Sequence, residues 1–203
     1  MQHPIKVFDE WAILGKDKGM ENSHAASVSE ILDYALSRLK TESDSFTFLD
    51  FGCGNGWVAD QISKKNNCSF SMGVDGAENM ILNAKNRQSE AVFCLEDLNS
   101  FETDKKFDLI FSMEVLYYLE NPSTVIDRIK HMLNPKGRFI MGIDHYFENE
   151  ECHDWQEKVG TLMHMFKEEE WLDFFVKSNY KNIFSWRANS NDWAGTLTIT
   201  GTR

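Results

Sequence analysis

An α/β fold, with a doubly wound, mostly parallel seven-stranded sheet and an antiparallel C-terminal hairpin, is predicted by three observations. Strand-like and helix-like segments alternate between residues 47 and 144. A glycine-rich turn, Gly52-Cys53-Gly54-Asn55-Gly56, leads from the first strand into a helix. Two β-rich runs close the chain around the turn-forming Asn189-Ser190-Asn191-Asp192. Repeated βα units of this length imply a parallel sheet covered by helices on both faces.

Each element follows from its local pattern. Residues 3–26 form a mixed segment with Trp11, Gly15, Gly19, Met20, Glu21 and His24, expected to be a lid or a short helix plus loop. Val28, Ile31, Leu32, Ala35, Leu36 and Leu39 then recur at helical spacing. Strands are predicted at 47–51, 69–75, 91–95, 107–112 and 138–144, with helices at 56–65, 78–87 and 123–133 between them. The third of these helices carries Val125, Ile126, Ile129, Met132 and Leu133 on one face and ends at Asn134-Pro135-Lys136-Gly137. Residues 145–166 read as a polar, aromatic insertion on the substrate side. A helix at 167–178 follows, with Trp171, Phe174 and Phe175 on one face and Glu168–Glu170 near its positive end. The strands at 182–188 and 196–201 have hairpin spacing.

Composition narrows the class. The chain has 203 residues, 42% apolar and 26% charged, which suits one globular domain spanning 1–203. No apolar run reaches membrane-spanning length and the N-terminus lacks signal-peptide architecture, so a cytoplasmic protein without a membrane partner is expected. A net charge of −11 argues against nucleic acid, which needs a basic surface to displace counterions. The four cysteines, Cys53, Cys68, Cys94 and Cys152, are scattered without a C-x-x-C pair, so no metal or disulfide pattern is expected.

Phe48-Leu49-Asp50-Phe51-Gly52-Cys53-Gly54-Asn55-Gly56 is the most informative stretch. Glycines there let backbone approach a ligand and deliver it to a helix N-terminus at the carboxyl end of a strand. Asp75 closes the second strand 19 residues after Gly56, inside Gly73-Val74-Asp75-Gly76-Ala77, where a carboxylate can accept both hydroxyls of a ribose. Asp50 is placed either to fix a ligand amino group or to cap the turn's own N–H groups, and the two roles are compatible.

The D-x-G-x-G-x-G turn resembles the first motif of the class I S-adenosylmethionine (SAM) methyltransferases. Phe107-Asp108-Leu109-Ile110-Phe111-Ser112-Met113-Glu114-Val115-Leu116-Tyr117-Tyr118-Leu119 is similar to that family's fourth-strand signature, F-D-x-[IV]-x-S-x-x-[VA]-L-x-[HY]-[LI]. Asn134-Pro135-Lys136-Gly137-Arg138-Phe139 resembles its turn into strand five, departing by Lys136 where glycine is usual. The resemblance is close over 45–145 and points to the small-molecule enzymes related to quinone biosynthesis. It implies SAM bound by Asp50, Gly52, Cys53, Gly54, Gly56, Asp75 and Gly76, by Asp97 and Leu98 around the adenine, and by Ser112 and Met113 beside the sulfonium. Glu96 competes with Asp97 for the adenine; Asp97 is preferred because the acid usually follows an apolar strand plus one residue.

The implied reaction moves a methyl group by in-line displacement onto a nitrogen or oxygen of a small-molecule acceptor, in a monomer or homodimer. Candidate catalytic residues are His145, Tyr117 and Asp144, at the ends of the fourth and fifth strands. Trp11, His24, Tyr118, Tyr146 and Trp155 are candidates for the acceptor site, an aromatic and acidic enclosure suited to an amine. No metal is expected, because Ser112 stands where a metal-binding relative would carry an acid. Two alternatives remain: a protein methyltransferase acting on lysine or an N-terminal amine, and a non-catalytic SAM-binding regulatory subunit. A dinucleotide dehydrogenase is disfavoured by the turn spacing and by the C-terminal hairpin.

Overall fold

A computed structural model describes residues 1–39 and 45–203. Helices α1 (Pro4–Ile13) and α2 (Asp17–Leu36) precede a sheet of β1 (Phe46–Phe51), β2 (Cys68–Asp75), β3 (Val92–Leu95), β4 (Phe107–Met113), β5 (Leu133–Ile143), β6 (Lys181–Ala188) and β7 (Thr196–Thr202). Between the strands run α3 (Trp57–Ser63), α4 (Glu78–Lys85), α5 (Pro122–His131), the short α6 (Trp155–Val159) and α7 (Glu168–Lys177). The strand order is β3-β2-β1-β4-β5-β7-β6, with β7 antiparallel to both neighbours. This is the Rossmann-like methyltransferase architecture, and it carries the expected C-terminal hairpin.

Period-two alternation explains the three layers. Leu49, Phe51, Ile110, Phe139 and Met141 face one way, into a core shared with Val125, Ile126 and Ile129 of α5 and Trp171 and Phe175 of α7. Phe46, Phe48, Leu109, Phe111 and Ile140 face the other way, against Val28, Ile31 and Leu32 of α2, Val58 and Ile62 of α3, and Ile81 and Ala84 of α4. The central strands are therefore buried on both faces and read as continuous apolar runs. Helix α5 starts where Asn121 Oδ1 accepts the Thr124 N–H at 3.1 Å and Pro122 fills the first turn; Arg128, Lys130 and His131 close it against the helix dipole.

Three expectations change. The N-terminal segment is two helices, and α2 begins at Asp17, eleven residues before the apolar spacing at Val28 becomes visible. The polar start of α2 faces the cavity described below and needs no apolar stripe. Strand β5 begins at Leu133, ahead of the expected 138, because its Asn134–Gly137 turn lies within the strand beside β4. Lys136 adopts φ +68° there, the left-handed backbone for which glycine is the usual residue. The insertion at 145–166 folds as a 3₁₀ turn (Glu150–Cys152) and α6, and Gln2 pairs with Thr161 across it, tethering the N-terminus.

Sheet order reverses between β1 and β4, so their carboxyl ends diverge and open a crevice. Gly56 holds α3 close to the sheet beside that crevice: a Cβ there would stand 2.6 Å from the Phe93 ring and 2.7 Å from Ala84 Cβ. Gly160 shares its positive φ but has open space around it. Gly160→Ala is expected to cost about 1–2 kcal/mol for the left-handed backbone alone. Gly56→Ala should cost about 1–3 kcal/mol more from the forced contacts, measured by urea unfolding of both variants.

Candidate active site

The crevice is a cavity at the ends of β1 and β4, roofed by α1 and α2. Its floor is the glycine turn, Gly52, Cys53 and Gly54, with Asp50, Asp75, Gly76, Asp97 and Leu98 along the sheet end. Met113, Glu114 and Tyr118 form the β4 side. Ile5 and Phe8 of α1, with Met20, Glu21 and His24 of α2, close it from above.

Sequence chemistry places the roof. Asp9 of α1 accepts the Asn79 backbone N–H at 2.7 Å and its side-chain amide at 2.9 Å, filling the orphan donors at the start of α4. Ile5 lies over Gly76, where a Cβ would come within 2.8 Å of its Cδ1. Asp17 accepts from the Asn55 and Asn83 side chains, and Glu21 pairs with Arg87. The lid is thus fixed to the glycine turn and to α4 by polar contacts.

The glycine turn is held by one acid. Asp75 accepts the Gly54 N–H at 2.9 Å on one oxygen and the Ala77 N–H at 2.8 Å on the other. Its pKa is nevertheless raised, since burial outweighs these donors. Asp50, 2% exposed, is pushed up to about 8 by burial and then by the charge of Asp75, with the Ala59 backbone N–H working the other way. Asp50 thus lines the cavity, and its backbone partner is Ala59 of α3 in place of the turn's own N–H groups. Glycine is needed for different reasons along the turn. A Cβ on Gly52 would lie 2.2 Å from Val115 Cγ2, whereas at Gly54 (φ +51°) only Met80 Sδ comes within 4 Å, at 3.9 Å.

On the β4 side a polar cluster stands out that the sequence did not assemble. Glu114 adopts φ +59°, a strained backbone for this residue, and its carboxylate accepts the Tyr117 hydroxyl (2.7 Å) and the Asp144 backbone N–H. His24 Nε2 reaches to 3.5 Å from Asp144 Oδ2, and its Nδ1 donates to the Met20 carbonyl at 2.8 Å. Burial disfavours a charged His24, but the Asp144 hydrogen bond and the nearby Glu114 and Asp144 charges prevail and raise its pKa to about 9. Burial, then repulsion from Asp144, pushes the Glu114 pKa up.

Several expected site residues lie off the cavity wall. His145 is 1% exposed, with no hydrogen-bond partner at either ring nitrogen, packed 5.0 Å from the Tyr117 ring and 6.2 Å from Trp155. Burial lowers its pKa to about 4, so it is a neutral core ring. Tyr117 is buried with its hydroxyl on Glu114, and Asp144 lies behind the wall against His24 and Glu114. Ser112 donates to the Phe51 carbonyl at 2.8 Å, clamping β4 to β1, and Gly56 lies beneath Phe93. Tyr146 donates to the Gly195 carbonyl at 2.8 Å, Trp155 packs on His145, and Trp11 packs with Phe8 and Met20. Of the acceptor-site candidates, His24 and Tyr118 line the cavity; of the two acids after β3, Asp97 does and Glu96 does not.

Residues 42–186 match the family described as a methyltransferase domain. The chain belongs to the class I SAM-dependent methyltransferases. Among curated relatives of this methyltransferase, a malonyl-acyl-carrier-protein O-methyltransferase 2 of Ilyobacter polytropus is 28% identical over 152 residues, 70% of this chain and 52% of that protein. The mitochondrial ubiquinone biosynthesis O-methyltransferase of Dictyostelium discoideum is 29% identical over 51% of this chain and 37% of its own length. The chain spans about half the length of the curated relatives it matches. A chain in the complex between the Haloferax volcanii Trm112 methyltransferase activator and a methyltransferase superposes with TM-score 0.83 and 25% identity, covering 100% of this chain and 98% of that one. The N-methyltransferase NodS of Bradyrhizobium japonicum shares the fold (TM-score 0.66, 22% identity, 86% of this chain and 84% of that one). SAM is the cofactor of this family, and no helix among the described residues is long and apolar enough to cross a membrane.

Asp50 gives the site a pH signature. Its folded pKa of about 8 exceeds the ordinary 3.8, so the folded chain keeps a proton that the unfolded chain releases. Its contribution to stability is therefore full below about pH 4 and lost as pH rises through about 8. Urea unfolding across this window should show stability falling with pH, and Asp50→Asn should flatten that slope.

Proposed function

We propose that this chain transfers the methyl group of SAM to a nitrogen or oxygen of a small molecule enclosed beneath α1 and α2. One observation carries the reading: the cavity at the β1/β4 switch point is lined by the glycine turn together with Asp50, Asp75 and Asp97. These residues fit the cofactor. Open space at the Gly54 Cβ position leaves room for close backbone approach. Asp75 would hold the ribose, Asp97 and Leu98 the adenine, and Asp50 the cationic amino group. Bound SAM supplies an activated methyl on a sulfonium, so the chain's task is alignment and exclusion of water.

The acceptor side is read from the roof and the β4 wall. A cavity covered by Phe8 and His24 and walled by Tyr118 favours a small molecule over the basic tail of a protein, which needs an open groove. His24 and Tyr118 orient the acceptor, with Asp144 behind His24. Relatives include O-methyltransferases and, in Papaver somniferum, (S)-coclaurine N-methyltransferase, so either atom is consistent with the likeness. A second reading is suggested by the match that spans both chains almost end to end: this chain works with a separate activator subunit.

Calorimetry should show SAM binding that is lost in Asp75→Ala. That variant also leaves the Gly54 and Ala77 N–H groups unpaired, at about 1–3 kcal/mol of stability. Asp75→Asn, which keeps an acceptor for one of the two N–H groups, accompanies it. Because Asp50 must ionise to hold an ammonium, SAM affinity should climb with pH up to about 8. Incubation with methyl-labelled SAM and fractionated extract should place label in small metabolites. Label in protein would favour the protein-methyltransferase alternative, and binding without any turnover a regulatory subunit.

A further inference from the structure

We propose that His24, Glu114 and Asp144 form a site for one first-row divalent cation, such as Mn²⁺, Fe²⁺ or Zn²⁺, at the edge of the cavity. One ligand atom from each residue lies within 4.8 Å of the others. Ions held at about 2.0–2.2 Å separate neighbouring ligand atoms by about 3–4 Å. The 3.5 Å between His24 Nε2 and Asp144 Oδ2 falls in that range.

The surroundings are those of a ligand set. A metal-bound imidazole usually donates its other N–H to a carbonyl or carboxylate. His24 does so through Nδ1 to Met20, which leaves Nε2 as the atom that would bind the ion, releasing its proton. The Glu114 carboxylate is oriented by the Tyr117 hydroxyl and by the Asp144 backbone N–H. Independent of the clustering, Asp144 is 7% exposed and its Oδ1 has no hydrogen-bond partner among the described residues, a costly state for a buried carboxylate oxygen. One imidazole with two carboxylates is a poor match to Mg²⁺, which prefers oxygen and water, and a better one to first-row transition ions.

This assignment does not depend on methyl transfer, and its test contains neither SAM nor acceptor. The full chain, stripped with a chelator, is titrated with Mn²⁺ and separately with Zn²⁺ by calorimetry, with electron paramagnetic resonance following Mn²⁺. One ion per chain is expected, with affinity reduced at least tenfold in Asp144→Asn and in His24→Gln. Tyr117→Phe keeps all three ligands and the core packing, so it serves if the other variants fail to fold; it should weaken binding about tenfold through loss of the Glu114 contact. Absence of binding by both ions would overturn the proposal and leave a buried His–Asp pair. Binding that none of the three substitutions alters would overturn it equally.

Discussion

Backbone without side chains at the exit of β1 is the constraint on which the rest of the site depends. Gly52 lies against Val115, Gly56 against Phe93 and Ala84, and Gly73 against Cys53, all closer than a Cβ could tolerate. These contacts bring the ends of β1, β2 and β4 together around one turn. Asp75 then fixes the turn by accepting one N–H on each oxygen. A single side chain placed at Gly52 would push β1 away from the segment that carries Glu114, and both halves of the cavity would lose their register.

Electrostatics follow from that packing. Crowding the turn buries Asp50 beside Asp75, and the two like charges leave Asp50 protonated near neutral pH without a cationic partner. The same arrangement suits a ligand that brings positive charge. Across the cavity, Glu114 and Asp144 repeat the pattern, with His24 swung in by α2 to offset them. The N-terminal helices are therefore part of the site, fixed to it by Asp9, Asp17 and Glu21.

Much of this was legible in the sequence because it is local. Apolar runs interrupted at βα spacing give the sheet, and the D-x-G-x-G-x-G turn with Asp75 gives the floor of the cavity. The acceptor side resisted because its contacts are long-range and turn on which way neighbouring residues point. Asp144 and His145 are adjacent at a strand end, yet Asp144 faces His24 while His145 faces the core with Tyr117 and Trp155. Tyr117 and Tyr118 divide likewise, one onto Glu114 and the other onto the cavity. Glu114 carried one signal, an acid directly after the fourth strand, but its left-handed backbone is invisible in sequence. Nor does any local pattern show that His24, 120 residues before Asp144, meets it.

The central claim is that the cavity at the β1/β4 switch point is the cofactor site. A crystal structure of the chain soaked with S-adenosylhomocysteine tests it most directly. The account predicts density along the glycine turn, with ribose hydroxyls on Asp75 and the amino group near Asp50. An ordered ligand elsewhere on the chain, or a crevice that stays empty at saturating concentration, would contradict it.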